Sequence, residues 1–185
     1  LEGARSAWEG AGEAWRRADQ PAAAARALRQ AIALAPDALI VRVKLAGVLS
    51  DAGELSDAEA TCRRVLARAV DPGVRAVAAD TAIGVLQARG LKEEARALIA
   101  QVEGPAADAS GDTPAGAAAL FRRAQIARLD GRLEEALLLL GRVTTVLADV
   151  PGAEAGSAAA RGEVAEIALL RGDATDAIAF FTDAV

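Results

Sequence analysis

Apolar residues recur every three to four positions over most of this chain, which is the spacing of one buried face of a helix. The stretch Gly131–Ala148 shows this spacing together with a recurring pair of residues, in which Gly131 stands five positions before Ala136. A pair with the same offset occurs at four other places, namely Gly53 and Ala58, Gly90 and Ala95, Gly172 and Ala177, and Asp19 and Ala24. The pattern indicates one structural unit repeated five times.

The recurring pair has a physical explanation. Glycine is favoured where a helix stops and the chain reverses, because it adopts the left-handed conformation without a steric penalty from Cβ. Alanine is favoured where two antiparallel helices cross closely, because it is small and still a strong helix former. We therefore predict an all-α chain of five helix hairpins, with ten helices and no strand.

The spacings between successive turns are 34, 37, 41 and 41 residues. We predict a single array over residues 1–185, with hairpins at about 4–37, 38–71, 74–104, 114–149 and 157–185, the last of which we expect to be truncated. The break Gly104–Gly116 is longer than the other connections between hairpins. An interdomain linker is the alternative interpretation of that break.

The first hairpin carries residues of a known repeat pattern, W-x2-L-G-x2-Y…A-x3-F…P. They are Trp8, Ala11, Gly12, Trp15, Ala24, Leu28, Ala31 and Pro36. Over essentially its whole length the chain resembles a tetratricopeptide-repeat (TPR) protein, and the first turn-to-turn spacing equals the period of that family. The resemblance implies a right-handed α-solenoid of antiparallel helix hairpins, a TPR-like superhelix.

Three local patterns refine this picture. Ser56 and Glu59 have the S-x-x-E spacing of a capping box, and Thr113-Pro114 is typical of an N-cap followed by the first residue of a helix. Cys62 continues the inner face of its helix and is interpreted as a buried core thiol.

Composition and charge exclude several partner classes. A net charge of −5 argues against sequence-independent binding of nucleic acid, which depends on neutralising phosphates. The longest apolar runs, such as Ala136–Leu140, are far shorter than a membrane span of about 18 residues. We expect a bacterial fragment of a longer chain, since it begins without Met, and we favour the cytoplasm while leaving the localisation open.

Catalytic chemistry has little support in the sequence. The chain contains no histidine, which removes the usual general base and most metal sites. The carboxylate pairs Glu93-Glu94 and Glu134-Glu135 stand where a helix begins and complement the helix dipole there. Arg63-Arg64 and Arg122-Arg123 are interpreted as solvated helix faces. We therefore expect a protein that is not an enzyme, with no cofactor and no metal.

In TPR arrays the first helices of the hairpins line the concave side, which holds extended or helical peptides. The resemblance therefore implies a partner-binding groove. Its candidate residues are Glu9, Glu13, Arg16, Val43, Lys44, Gly47, Asp80, Thr81, Gly84, Gln87, Phe121, Arg122, Gln125, Arg128, Glu163 and Glu166.

Three features of this groove bear on the kind of ligand it could bind. Glu9 and Glu13 stand where chaperone-binding members of the family hold a peptide's terminal carboxylate, so we expect no such clamp here. Gly47 and Gly84 leave a strip of bare backbone, which either admits a ligand closely or allows small-residue packing. For Arg122 and Arg128 we expect contact with an acidic partner, and we expect charge reversal there to leave the helices intact.

The function that the resemblance implies is a scaffold for protein–protein interaction. The alternative is a regulatory or sensor region of a larger protein, such as a bacterial transcription regulator or secretion component. Near the C-terminus, Ile178, Phe181 and Val185 share a helix face, and Phe180 adds a second apolar surface. We expect that end to be covered by another copy of the chain or by a further helix; the alternative is that Phe181 folds inward.

Overall fold

The computed structural model describes residues 2–103 and 113–184, which form ten α-helices and no strand. The helices are α1 Glu2–Arg17, α2 Pro21–Leu34, α3 Leu39–Asp51, α4 Leu55–Arg68, α5 Pro72–Ala88, α6 Lys92–Glu103, α7 Pro114–Leu129, α8 Leu133–Leu147, α9 Glu154–Arg171 and α10 Ala174–Ala184. They pair into five hairpins, so the predicted all-α fold is confirmed. Most of the 104–116 break lies outside the described residues.

The five predicted turn residues share one backbone conformation. Their φ angles are positive, at 54° for Asp19, 77° for Gly53, 74° for Gly90, 76° for Gly131 and 86° for Gly172. In each turn the following N–H donates to the carbonyl five residues earlier, as between Glu54 and Leu49 at 2.8 Å. This is the Schellman arrangement that ends a helix, and it confirms the role predicted for these positions.

The five predicted alanines are buried at the hairpin crossings: Ala24, Ala58, Ala95, Ala136 and Ala177. In the first hairpin the helices also approach through Gly12, where an added Cβ would lie 2.8 Å from Cγ of Leu28. Small residues therefore set the distance between the two helices of a hairpin.

The chain divides into two compact units, Leu1–Leu98 and Ile99–Val185, with the division inside α6. In the first unit, each helix from α1 to α4 packs on the next, and α3 also contacts α5. In the second unit, α7 packs on α8, α8 on α9, and α9 on α10. The division lies before the 104–116 break, and the single array over 1–185 stays a prediction.

The helix starts agree with one predicted cap and contradict another. The Thr113 hydroxyl accepts a hydrogen bond from the Gly116 N–H at 3.0 Å, as predicted. The Ser56–Glu59 capping box is wrong, because α4 begins at Leu55 without a side-chain cap and Ser56 already lies inside the helix. The Glu59 carboxylate is buried and instead contacts two arginines.

The core consists of small and aliphatic side chains. Cys62 is buried among them, and burial raises the pKa of its thiol to about 11, which confirms the interpretation of a core thiol. Trp8 and Trp15, by contrast, are each 45% exposed on α1. None of the described helices combines the length and hydrophobicity that crossing a membrane requires.

Candidate partner-binding cleft

A cleft of about 450 Å³ lies among α1, α3 and α5 of the first unit. Seven of the residues predicted for the groove line it, namely Arg16, Val43, Lys44, Gly47, Asp80, Thr81 and Gly84. The sequence analysis missed Ile40, Ser50, Asp51, Val77 and Val85, which complete the lining. Most of these stand three or four positions from a predicted residue on the same helix, so helical spacing could have found them.

Two other predicted residues, Glu9 and Glu13 of α1, form ion pairs with Lys44 of α3. The Lys44 Nζ lies 2.7 Å from Oε1 of Glu9 and 3.0 Å from Oε1 of Glu13. Arg5 contacts the other oxygen of Glu9 at 3.1 Å. The two carboxylates therefore orient the Lys44 ammonium, and a ligand carboxylate at this position would meet them.

The second cation of the cleft is also paired. Nε of Arg16 donates to Oδ2 of Asp51 at 2.7 Å, which connects α1 to α3. A Cβ added at Gly47 would lie 3.5 Å from the Arg16 guanidinium, whereas one added at Gly84 would have no neighbour within 4 Å. Gly47 thus lies beneath Arg16, and Gly84 is the open position. Gln87, further along α5, is not among the residues that line the cleft.

The predicted groove residues of the second unit are engaged within the protein. The Gln125 amide, which is buried, donates to Oε1 of Glu163 at 3.2 Å. Arg128 is only 13% exposed, with its Nε 2.7 Å from Glu163 and its Nη1 3.4 Å from Glu166. Phe121 is partly buried and packs against the core formed by α7, α8 and α9.

These contacts revise the expectation that reversing the charges of Arg122 and Arg128 would leave the helices intact. A carboxylate in place of Arg128 would face Glu163 and Glu166 at short range and would be repelled by both. Burial and the neighbouring Glu163 already raise the pKa of Glu166, although Arg128 lowers it. Arg128 therefore connects α7 to α9 through ion pairs.

Residues 16–81 match the sequence profile of the tetratricopeptide repeat. The matched segment contains α2, α3 and α4 entirely, together with much of the cleft. Residues 16–81 carry tetratricopeptide repeats.

Solved structures with the same fold cover nearly all of the chain. TTC0263, a thermophilic TPR protein of Thermus thermophilus, aligns over 98% of this chain and 90% of its own, with a TM-score of 0.66 at 17% identity. PilF of Pseudomonas aeruginosa aligns over 100% and 78%, with a TM-score of 0.61 at 15% identity. MamA of Desulfovibrio magneticus aligns over 97% and 92%, with a TM-score of 0.54 at 16% identity.

At these identities the likeness shows the fold, and the predicted α-solenoid of TPR type is confirmed. No curated protein sequence matches the chain significantly. Among residues 2–103 and 113–184, no group of three or more Cys, Asp or Glu side chains is arranged to hold a metal ion.

The ion pairs of Lys44 predict how the free energy of unfolding depends on pH. Partial burial lowers the pKa of Lys44, but its hydrogen bonds to Glu9 and Glu13 raise it more, so the pKa lies above the usual 10.5. We expect Lys44→Met to lower the free energy of unfolding by about 1 kcal/mol at neutral pH, since the pair is partly exposed. This difference should shrink as the pH rises through the raised pKa, where wild-type Lys44 loses its charge.

The matched control is Lys44→Arg, because arginine stays charged over the same pH range. Urea unfolding between about pH 9 and about pH 12 would measure the difference between each variant and the wild type. A difference between wild type and Lys44→Met that stays constant over this range would contradict the ion pairs.

Proposed function

We propose that this chain is a non-catalytic protein-interaction module whose first unit holds a segment of a partner protein in the cleft among α1, α3 and α5. The observation that carries the proposal is the cleft itself, with Gly84 open to solvent on one wall. Its volume falls within the range of roughly 300–1,000 Å³ that ligand sites occupy. Proteins with TPR folds generally mediate protein–protein interactions.

Support against a catalytic role comes from the sequence. The chain has no histidine, and its single thiol, Cys62, is buried with a raised pKa. A thiol in such surroundings is a poor nucleophile, because the thiolate is the reactive form. The charged side chains that line the cleft are engaged within the protein, Arg16 with Asp51 and Lys44 with Glu9 and Glu13 of α1.

The test compares two variants with the same substitution. In Gly84→Leu a leucine side chain enters the cleft, whereas in Gly10→Leu it extends from an exposed site on α1 where an added Cβ meets nothing within 4 Å. Both changes replace glycine inside a helix, so both favour the helix similarly. We expect a partner captured from a lysate of the source organism by the wild type to bind Gly10→Leu equally and Gly84→Leu at least about tenfold more weakly.

Equal retention of every captured protein by Gly84→Leu and by the wild type would contradict the cleft as the binding site. Circular dichroism of each variant would establish that the helices are intact in the comparison. A loss of binding in both variants would extend the binding surface from the cleft along α1 to Gly10.

Self-association through α10 stays a prediction from the sequence. Ile178 is 68% exposed on this helix, while Ala177 is buried against its own hairpin. The side chains of Phe180, Phe181 and Val185, which the prediction also names, lie outside the described residues. We expect light scattering to give a higher mass for the wild type than for Ile178→Ser; equal, monomeric masses for both would contradict the prediction.

A further inference from the structure

The charges that line the cleft balance. Arg16 and Lys44 contribute two positive charges, and Asp51 and Asp80 contribute two negative ones. All four are engaged within the protein: Arg16 with Asp51, Lys44 with carboxylates of α1, and Asp80 through a further interaction. The lining therefore presents no excess charge of either sign to a ligand.

A charged ligand group would gain little from this arrangement. A carboxylate at Lys44 would be the third around one ammonium, and a carboxylate at Arg16 would have to displace Asp51. A cation at Asp51 would displace Arg16 and then lie near it. Breaking a pair that is already formed cancels most of the attraction a new pair would provide, and a group left unpaired carries a desolvation cost.

The uncharged part of the lining combines four aliphatic side chains and two glycines with the hydroxyl residues Ser50 and Thr81. The aliphatic residues are Ile40 and Val43 of α3 and Val77 and Val85 of α5. Val43 and Val85 are buried in the core and Ile40 is partly buried, whereas Val77 is 47% exposed and offers apolar surface to a ligand. Gly84 lets a ligand backbone approach α5 closely, because no side chain projects from it. A ligand that removes apolar surface of this kind from water gains binding free energy.

We propose that the cleft binds an uncharged segment of a partner protein, with a branched apolar side chain against Val77 and the ligand backbone along Gly84. This inference rests on the proposed function of the cleft and adds the chemistry of the ligand. Affinity for such a segment comes from apolar contact, so it should depend little on ionic strength.

A random dodecapeptide library displayed on phage tests the proposal without knowledge of the natural partner. Phage are selected on the immobilised wild-type chain and then screened against Gly84→Leu and Gly10→Leu. We expect enriched peptides with no net charge and a Val, Leu or Ile in common. They should bind Gly10→Leu as they bind the wild type and Gly84→Leu at least about tenfold more weakly. Their affinity should change less than about twofold between roughly 50 mM and 500 mM salt.

The contrary outcomes are separable. Enriched peptides that are acidic or basic, lose affinity at high salt and fail on Gly84→Leu would overturn the inference and leave the cleft as the binding site. Peptides that bind Gly84→Leu as well as the wild type, or a selection that enriches none, would contradict both the inference and the proposed function. Self-association of the wild type that Gly84→Leu abolishes would assign the cleft to a second copy of this chain and overturn the inference.

Discussion

Replacing Arg89 with methionine is expected to lower the free energy of unfolding of the first unit by about 3 kcal/mol. The Glu59 side chain is 4% exposed, and Arg63 and Arg89 are both in contact with its carboxylate. Without Arg89, the buried Glu59 carboxylate keeps its contact with Arg63, but the Arg63 side chain is mostly exposed and compensates the charge poorly. Tryptophan fluorescence during urea unfolding would measure the loss, because Trp8 and Trp15 both lie in the first unit.

Two further variants separate the buried charge from the loss of packing. Arg63→Met should cost less than about 1 kcal/mol, because the Arg63 side chain is exposed. A double variant, Glu59→Leu with Arg89→Met, should recover most of the stability, since an apolar pair of similar volume often replaces a buried ion pair without loss. If Arg89→Met unfolds at the same urea concentration as the wild type, burial of the Glu59 carboxylate does not depend on its ion pair with Arg89.

The second large effect is expected at the hairpin crossings. Ala58 is fully buried where α3 and α4 meet, so Ala58→Leu should overpack the crossing and cost roughly 1–3 kcal/mol. Ala60 is exposed on the same helix, and Ala60→Leu is the control because it makes the same change in helix propensity. Differential scanning calorimetry should show a lower melting temperature for Ala58→Leu only. Equal melting temperatures for the two variants would contradict the close crossing.

The features that were predicted best from the sequence are those that local chemistry decides. The turn residues, including Asp19 in place of glycine, adopt the left-handed conformation because the residue itself and its place between two helices determine it. The alanine five positions later is buried because a fixed turn gives a fixed helical register. The resemblance named seven of the residues that line the cleft, and helical register could have added the other five, since residues three and four positions apart share a face of a helix.

The errors came from partners that are distant in the sequence. Glu59 fits a local capping pattern, yet its carboxylate contacts Arg89, thirty positions further along the chain. Arg128 was predicted to contact an acidic partner in the groove, yet its guanidinium pairs with Glu163 on the next hairpin. Local patterns cannot show which competing partner a long side chain reaches after the helices pack.

Both units use the same kind of contact between the first helices of neighbouring hairpins. In the first unit, one cation, Lys44 on α3, lies between two carboxylates of α1. In the second unit, Arg128 on α7 contacts two carboxylates of α9, Glu163 and Glu166. These cations therefore connect one hairpin to the next.

Amide hydrogen exchange with and without a bound partner peptide tests the central claim most directly. Binding in the cleft should slow exchange in α3 and α5, within residues 40–51 and 77–85, because a bound ligand suppresses local opening of the helices it contacts. Exchange within α8 should be unchanged. Protection confined to α4 or to the second unit, with α3 and α5 exchanging as in the free protein, would contradict the claim that the cleft holds the partner.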